Sequence, residues 1–397
     1  MDEQGGGRLG VALVGMGGAV ATTAIAGIEL IKSGANRQDG LPLAGLAIPG
    51  MAGYRDLVFG GWDVNGDDLG TAAETHGVVS KELLSDGASA LRGMRPWKAV
   101  GSSRFCRNID GGNKITTRGH RDAVELITAD LKRFRIESGA DRVVVVNLAS
   151  TESWPDLTAP ALTSLDAFER GLDRDDDAIG PAMLYAYAAV SNGIPYGNFT
   201  PSVAADVPAL VELAATRNVA VAGKDGKTGQ TMMKTVIAPA LKARALHVDG
   251  WFSTNLLGNR DGLALDDPDS LRSKLNTKGS VLDQILGYPV EDHIVDIRYY
   301  RPRGDDKEAW DNIDVRGFLG QRMQIKVNFL CKDSILAAPL VVEIARVLGL
   351  ADKRGDGGVQ EQLSFFFKAP MVANGHGPEH AFHVQEQMLL DWLGARG

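Results

Sequence analysis

A cluster of glycines near the start of the chain has the spacing of a phosphate-binding loop. Gly15, Gly17 and Gly18 follow the apolar run at residues 11–14 and precede a small-residue segment, residues 19–28, that is predicted to be helical. Backbone amides in such a loop, together with the amino end of the helix, can hold the pyrophosphate of a dinucleotide. A tight strand-to-helix turn would use glycines in the same way, so the spacing alone leaves both interpretations open.

The loop departs from the standard Gly-x-Gly-x-x-Gly fingerprint in two respects. Val20 occupies the position of the third glycine, and no acidic residue follows the apolar run at residues 46–48, where the partner of a ribose hydroxyl is usually found. The backbone amides at the predicted helix start, Ala19 and Val20, can still donate to a phosphate.

A second segment, residues 258–280, carries clustered cationic groups. Lys274 and Lys278 are four residues apart and would share one face if the segment were helical. Asn276 and Gly279 weaken such a helix, so we expect a ligand to be needed to order it. Two lysines at this spacing are either an anion site or an ordinary solvated face.

The order of apolar segments predicts two parts of the chain. Up to about residue 240, short apolar runs alternate with helical periodicity, which is typical of a Rossmann-like, doubly wound parallel sheet. After that point, strands with one buried and one polar face predict an open mixed or antiparallel sheet in an α+β domain. The predicted strands are residues 11–14, 46–48, 143–148, 219–222, 247–254, 293–301 and 322–330, and helices are predicted at residues 123–136 and 335–348.

The last predicted helix leads the chain back to the first part. We therefore predict that residues 1–231 and 336–397 form the Rossmann-like domain and that residues 232–335 form the second domain.

The overall composition limits the class of protein. The 397 residues include 42 basic and 50 acidic side chains, and the net charge of −8 argues against nucleic acid or an anionic membrane as partner. The amino terminus lacks a basic leader, and we find no uncharged apolar stretch of about 18 residues, so a cytoplasmic protein is expected. Neither Cys106 and Cys331 nor the histidines of HGPEHAFH have convincing metal-site spacing, so no metal site is predicted.

Ten short motifs occur in order along nearly the whole chain. They are GMGGAVA, VFGGWDVN, VNLASTE, GIPYGNFTPS, KDGKTGQT, STNLLGNRDG, RSKLNTKGSVLDQ, RGDDKEAWD, CKDSILAAPL and FFFKAPM. In type and order they resemble the inositol phosphate synthase family, which converts D-glucose 6-phosphate to 1L-myo-inositol 1-phosphate. The family's glycine loop reads Gly-x-Gly-Gly-x-x-Gly, so Ala21 replaces its last glycine here.

The resemblance implies NAD as the cofactor and a homotetramer assembled through the second-domain sheets. It also leaves room for an assisting monovalent or divalent cation. Beyond the glycine loop, it implies that NAD is contacted by Asp63, Asn65, Thr151, Glu152, Asp225, Thr228 and Gly229.

The implied reaction is redox-neutral overall. The sugar phosphate is oxidised at carbon 5, the new ketone acidifies the protons on carbon 6, and the resulting enolate closes on the carbon 1 aldehyde before the hydride returns. This chemistry needs cations that bind phosphate, stabilise oxyanions and pass protons. Neighbouring ammonium groups lower one another's pKa, so that one lysine of a cluster can act as a base.

The resemblance places the catalytic site at Lys274, Lys278, Lys307, Lys368, Asp261, Asp333 and Asn255. Lys274 and Lys307 are predicted to handle the proton and the oxyanion at carbon 5, and Lys278 to bind the phosphate. Lys368 is predicted to polarise the carbon 1 carbonyl, with Asp333 orienting it. The substrate's own phosphate is a candidate acceptor for the carbon 6 proton.

Two substitutions leave the identity of the sugar phosphate open. Arg260 stands where the family commonly has asparagine, and Leu256 stands where many members have histidine. An extra guanidinium could change the choice of substrate. The alternatives are a synthase that makes a five-membered ring from fructose 6-phosphate, a dehydrogenase that releases reduced NAD, and a catalytically inactive NAD-binding protein.

Overall fold

Two sheets organise the chain, one with seven strands and one with four. The computed structural model describes residues 6–87, 89–102, 104–106, 111–258, 281–373 and 375–395. Within these residues the strands are β1 Leu9–Val14, β2 Leu57–Asp63, β3 Trp97–Lys98, β4 Arg142–Asn147, β5 Tyr196–Asn198, β6 Ala220–Gly223, β7 His247–Leu257, β8 Asp292–Tyr299, β9 Asp306–Arg316, β10 Arg322–Lys332 and β11 Gly358–Val359.

The helices alternate with the strands of the first sheet and flank those of the second. They are α1 Ala19–Ser33, α2 Leu69–His76, α3 Lys81–Gly87, α4 Ser89–Gly93, α5 His120–Ser138, α6 Leu165–Asp173, α7 Pro181–Ser191, α8 Pro208–Arg217, α9 Gln230–Ala243, α10 Val281–Leu286, α11 Asp333–Arg354 and α12 Phe382–Leu393. Short 3-10 turns lie at Tyr54–Asp56, Pro160–Leu162, Arg301–Arg303, Phe318–Gly320 and Glu361–Phe366.

The seven-stranded sheet has the order β11-β6-β5-β4-β1-β2-β3, and all its pairings are parallel. The part from β3 to β6 has the strand order of the doubly wound dinucleotide-binding fold. Helices cover both faces, so β1 is buried along its whole length and the four valines of β4 are buried as well. The predicted fold class is confirmed.

The predicted strand at residues 46–48 is wrong. The strand beside β1 is β2, with Leu9 in register with Leu57, whereas Leu46 and Ile48 lie in a loop and pack partly buried against the core. A short apolar run signals burial but does not specify strand pairing. The strand next to β1 is therefore β2, and it ends in Asp63. An acidic residue thus stands at the position where dinucleotide-binding folds place the partner of the ribose.

Helix α11 is longer than predicted and is a central core element. It packs against α1 and β4, while β11 pairs with β6, so the carboxyl-terminal part of the chain lies on the first sheet. Its length and composition would allow it to cross a membrane, but 78% of its apolar stretch is buried inside the fold. Its core charges are paired, since Glu343 accepts from Arg346 at 2.6 Å and from the Tyr54 hydroxyl at 2.6 Å. The division of the chain at residues 231 and 336 stays a prediction.

The second sheet has the order β10-β9-β7-β8 and is mixed, because β7 and β8 are parallel and the other pairings are antiparallel. The sequence did not predict β9, although it pairs with a neighbour on each side. Its inward positions include Lys307 and Asp311, and both are buried. Charged residues at inward positions hide the apolar alternation that marks a strand.

One face of the second sheet packs on α9 and α10 around Trp251 and Ile313. The prediction that β10 buries its apolar face is only partly right: its apolar positions are half-buried at best, and Met323 is 47% exposed. Among the described strands, β10 lies at the sheet edge, with β9 as its neighbour.

Candidate active site

The loops that follow five parallel strands meet at one edge of the first sheet. Val14 at the end of β1 is in register with Trp62 of β2 and with Asn147 of β4, and Asn198 of β5 is in register with Gly223 of β6. Because these strands end together, the residues that follow them surround one cavity of about 520 Å3.

Most of the predicted site residues that the structure describes line this cavity. They are Gly15, Gly18, Ala19, Val20, Asp63, Thr151, Glu152, Asp225, Thr228, Lys307, Asp333 and Lys368. The glycine loop and two of the four predicted lysines therefore share one cavity. In the described part of the chain, Gly17, Asn65, Gly229 and Asn255 do not line it.

The glycine loop has a backbone that a dinucleotide requires. Gly15 has a φ of +85°, and a β-carbon there would lie 3.0 Å from the backbone of Ala149. The N-cap residue of α1 is Gly18, which has no side chain to bond the first amides of the helix, and Gly18, Ala19 and Val20 line the cavity. A pyrophosphate fits at such a helix terminus because the amides and the helix dipole both favour an anion.

The backbone of Gly17 is held at both its amide and its carbonyl. Its amide donates to Oδ2 of Asp63 at 2.8 Å, and its carbonyl accepts from Nε2 of His76 at 2.8 Å, which requires that this nitrogen carry the proton. Asp63 also accepts from the amide of Asn65 at 2.9 Å, while the Asn65 side chain bonds Asp67. Asn65 thus acts on the site through Asp63. Sequence reasoning missed His76, since nothing in its local pattern points to a loop 59 residues away.

Two polar residues follow β4 at the cavity wall. Thr151 and Glu152 are buried, and Glu152 accepts from the amide of Ala182 at the start of α7 at 3.0 Å. Burial raises the pKa of Glu152 to about 8, so the carboxyl is predominantly protonated at neutral pH. A neutral carboxylic acid can donate a hydrogen bond as well as accept one.

The loop after β6, residues 224–229, is fixed by close backbone contacts. The amide of Asp225 donates to Thr200 O at 3.0 Å, and the amide of Lys368 donates to Asp225 O at 2.7 Å. A β-carbon at Gly226 would lie 2.0 Å from the ring of Phe199, so only glycine fits there.

An ion pair joins this loop to Lys368. Its Nζ donates to Oδ1 of Asp225 at 2.7 Å, and both side chains are buried. Asp225 is the carboxylate paired with Lys368, and Asp333 is paired with Lys307. The role of Asp333 in orienting Lys368 stays a prediction. Each of these two aspartates directly follows a lysine in the sequence, and this pattern does not reveal which lysine each aspartate contacts in the fold.

Lys307, Asp333 and Thr228 form a second group on the same cavity. Nζ of Lys307 lies 3.3 Å from Oδ1 of Asp333, which also accepts from Oγ1 of Thr228 at 3.2 Å. Asp333 is the first residue of α11, where the helix dipole favours a negative charge. The loop after β6 therefore supplies Asp225, which pairs with Lys368, and through Thr228 contacts Asp333, which pairs with Lys307.

Asn255 belongs to a buried polar network behind the cavity. Its Nδ2 donates to Oε1 of Gln230, whose Nε2 lies 3.2 Å from both carboxylate oxygens of Asp311. Asp311 also accepts from Trp251 and Ser253, at 2.7 and 2.6 Å. Among the described residues, Oδ1 of Asn255 has no hydrogen-bond partner. The network was not predicted, although Gln230 is part of the quoted KDGKTGQT motif.

Three predicted catalytic residues, Asp261, Lys274 and Lys278, lie outside the described residues. The chain leaves the described part at Gly258, which lines the cavity. In the ranges that the structure does describe, no three His, Cys, Asp or Glu side chains form a group that could hold a metal ion.

A family model for NAD-binding proteins, described as Myo-inositol-1-phosphate synthase, matches residues 46–394. The chain belongs to the myo-inositol-1-phosphate synthase family. As a member of the synthase family, the protein is an enzyme, and the fit of the glycine loop to a pyrophosphate agrees with the family's NAD binding.

Synthases from distant organisms align with nearly the whole chain. Inositol-3-phosphate synthase 1 of Bacteroides thetaiotaomicron is 40% identical over 408 residues, covering 98% of this chain and 95% of that protein. The crystal structure of inositol-3-phosphate synthase from Caenorhabditis elegans matches with a TM-score of 0.91 at 26% identity, covering 98% of this chain and 85% of that one. A myo-inositol-1-phosphate synthase-related protein from Thermotoga maritima matches with a TM-score of 0.82 at 26% identity, covering 98% and 99% of the two chains.

Proposed function

We propose that the protein converts D-glucose 6-phosphate to 1L-myo-inositol 1-phosphate by an NAD-dependent, redox-neutral aldol cyclisation. The observation that carries this proposal is the shared cavity. The glycine loop forms one side, and Lys307 and Lys368, each paired with a carboxylate, form the other. A dinucleotide site beside paired ammonium groups suits a reaction that couples oxidation at one carbon to enolate chemistry at its neighbours.

The residues on the glycine-loop side would hold NAD. Amides at the amino end of α1 would bind the pyrophosphate, and Asp63 at the end of β2 is placed to accept from the adenosine ribose. Thr151 and Asp225 lie on the cavity wall that would face the nicotinamide. When bound, NAD supplies the hydride acceptor for carbon 5 and returns the hydride at the end.

Lys307 is placed to act on the oxygen of carbon 5. Asp333 holds its ammonium at the cavity wall, where it can stabilise a developing oxyanion without reorganising. Lys274 remains the predicted partner that exchanges the proton there, and Lys278 the predicted phosphate ligand. The phosphate itself is proposed to accept the carbon 6 proton.

Lys368 is placed to polarise the carbon 1 carbonyl. Its ion pair with Asp225 is buried on both sides, so the ammonium has little freedom to move away from the cavity. A buried pair costs desolvation free energy, and its benefit here is a donor fixed in direction. Ring closure converts the carbonyl oxygen to an alkoxide, which such a donor stabilises.

We also propose a homotetramer that uses the second sheet. The described chain exposes several apolar side chains on this sheet and its hairpin turn, which supports an interface there. They are Ile294, Trp310, Phe318, Leu319, Met323 and Leu330. Light scattering tests this, and a particle of 42.2 kDa, the mass of one chain, would contradict it.

The assay that tests the proposed reaction offers the purified protein each of two sugar phosphates with NAD. D-Glucose 6-phosphate should yield a six-membered carbocycle, identified by NMR, without accumulation of reduced NAD. A five-membered ring formed from fructose 6-phosphate alone would replace the proposed substrate. Accumulating reduced NAD would replace the cyclisation by a simple dehydrogenation.

A further inference from the structure

Lys227 lies in the loop that meets both catalytic ion pairs, but its side chain does not line the cavity. It is 3% exposed, and its Nζ donates to Oε1 of Gln385 on α12 and lies 3.5 Å from Ser364 O. The rings of Phe365 and Phe382 lie 6.0 and 5.3 Å from the same nitrogen.

The ammonium of Lys227 is buried without a counter-charge in the described part of the chain. Burial lowers the pKa of Lys227 to about 7. The neighbouring His380 has its pKa lowered to about 4, by burial and then by Lys227, so it is neutral at neutral pH. An unpaired buried ammonium is costly, whereas an apolar side chain would fill the same space at no such cost.

The contacts of Lys227 fix the residues beside it. Its own amide donates to Phe366 O at 2.8 Å, so backbone and side chain are both attached to the carboxyl-terminal part of the chain. Two positions before it, Asp225 holds Lys368. One position after it, Thr228 donates to Asp333, which holds Lys307.

We propose that Lys227 is a positioning residue that, through its hydrogen bond to Gln385 of α12, sets the orientation of Asp225 and Thr228 and thereby of both catalytic ammonium groups. The hydrogen bond from the Lys227 amino group to Gln385 is directional, which an apolar contact is not. The proposal rests on the proposed function for its effect on catalysis, but its effect on the loop is independent of any reaction.

The test compares four variants by kcat, KM, thermal stability and amide hydrogen exchange of residues 224–229. Gln385→Leu removes the acceptor, Gln385→Glu keeps one, and Lys227→Met with Gln385→Leu replaces the whole polar contact by an apolar one. The matched control is Gln387→Leu, because Gln387 is exposed on the same helix.

We expect Gln385→Leu to speed exchange in the loop and to lower kcat by about tenfold or more, while Gln385→Glu and Gln387→Leu stay within about threefold of wild type. The double variant should recover thermal stability, since no buried amino group is left without its acceptor, but kcat should stay low. Recovery of kcat in the double variant, or unchanged loop exchange in Gln385→Leu, would overturn the proposal. If the wild type forms no carbocycle, the proposed function fails, and loop exchange still decides the role of Lys227.

Discussion

The Nζ atom of Lys368 lies 2.7 Å from Oδ1 of Asp225, and the pair sits on the wall of the cavity that the glycine loop also lines. Neither side chain has much contact with solvent. In such a place an ion pair positions its ammonium more than it stabilises the fold, because desolvation offsets the Coulomb attraction.

Asp225→Asn should therefore lower kcat by about a hundredfold, the loss seen when a single oxyanion donor is disturbed. The amide leaves the Lys368 ammonium without its counter-charge and its fixed direction. Steady-state rates of carbocycle formation measure the effect.

Asp206→Asn is the matched control for Asp225→Asn. It breaks the ion pair of Lys224 and Asp206, 2.6 Å long, which starts from the residue before Asp225 but does not line the cavity. Equal losses in the two variants would mean that the loop tolerates no ion-pair loss at all, and the specific role of Asp225 would be refuted.

The Thr228 hydroxyl should matter less than the carboxylate it contacts. Thr228→Val removes one hydrogen bond to the Asp333 carboxylate, worth about 1.5 kcal/mol, so kcat should fall roughly tenfold, while Asp333→Asn should lower it by about a hundredfold. The control is Asp306→Asn, which breaks the half-exposed pair of Asp306 and Lys332 next to this site in the sequence. A Thr228→Val loss as large as that of Asp333→Asn would contradict this ranking.

Loss of either hydrogen bond to the Gly17 backbone, from His76 or to Asp63, should weaken cofactor binding. His76→Leu and Asp63→Asn should each raise the Kd for NAD about tenfold, because each removes or weakens one of the two hydrogen bonds that hold the backbone of Gly17 in the phosphate-binding loop. Calorimetric titration with NAD measures this without any reaction. The control is Asp67→Asn, which changes an exposed carboxylate in the same segment and should leave the Kd for NAD unchanged. An unaltered Kd in His76→Leu would show that the histidine is incidental to the site.

The raised pKa of Glu152 should make the folded protein less stable as the pH rises. Its pKa is raised to about 8 in the fold, so between its unfolded pKa and that value the folded state binds one more proton. This carboxyl therefore lowers stability as pH rises, by up to about 1.4 kcal/mol per pH unit.

Glu152→Gln removes that proton linkage. The melting temperature of the variant should fall less than that of wild type between about pH 5.5 and about pH 7.5. Glu386→Gln, at an exposed position of α12, should follow the wild type. If wild type and Glu152→Gln lose stability in parallel, the carboxyl is ionised in the fold and its assigned state is wrong.

The sequence predicted three of the four described strands of the second sheet, β7, β8 and β10, but only three of the seven described strands of the first, β1, β4 and β6. Strands that are buried on both faces can be predicted from their apolar composition, as for β4 with its four valines. Strand β9 could not be predicted in this way, because its buried positions include the charged residues Lys307, on the cavity, and Asp311, in the polar network. The run at residues 46–48 shows the opposite error, since its side chains contribute to the core from a loop.

The resemblance supplied the identities of the site residues, and the structure supplied their pairing. Asp225 and Asp333 were both proposed, yet only the fold shows that they hold Lys368 and Lys307 respectively. His76 reaches the glycine loop from a helix after the next strand, and such a contact has no local pattern. Asp261, Lys274 and Lys278 lie outside the described residues, so their placement stays a prediction.

In the proposed reaction, the hydride taken from the sugar returns to the same molecule. The most direct measurement uses D-glucose 6-phosphate labelled with deuterium at carbon 5, in the presence of excess unlabelled NAD. The inositol phosphate produced should retain the deuterium at that carbon, since oxidation and reduction occur in one cavity. A product without the label, or labelled reduced NAD in solution, would contradict it.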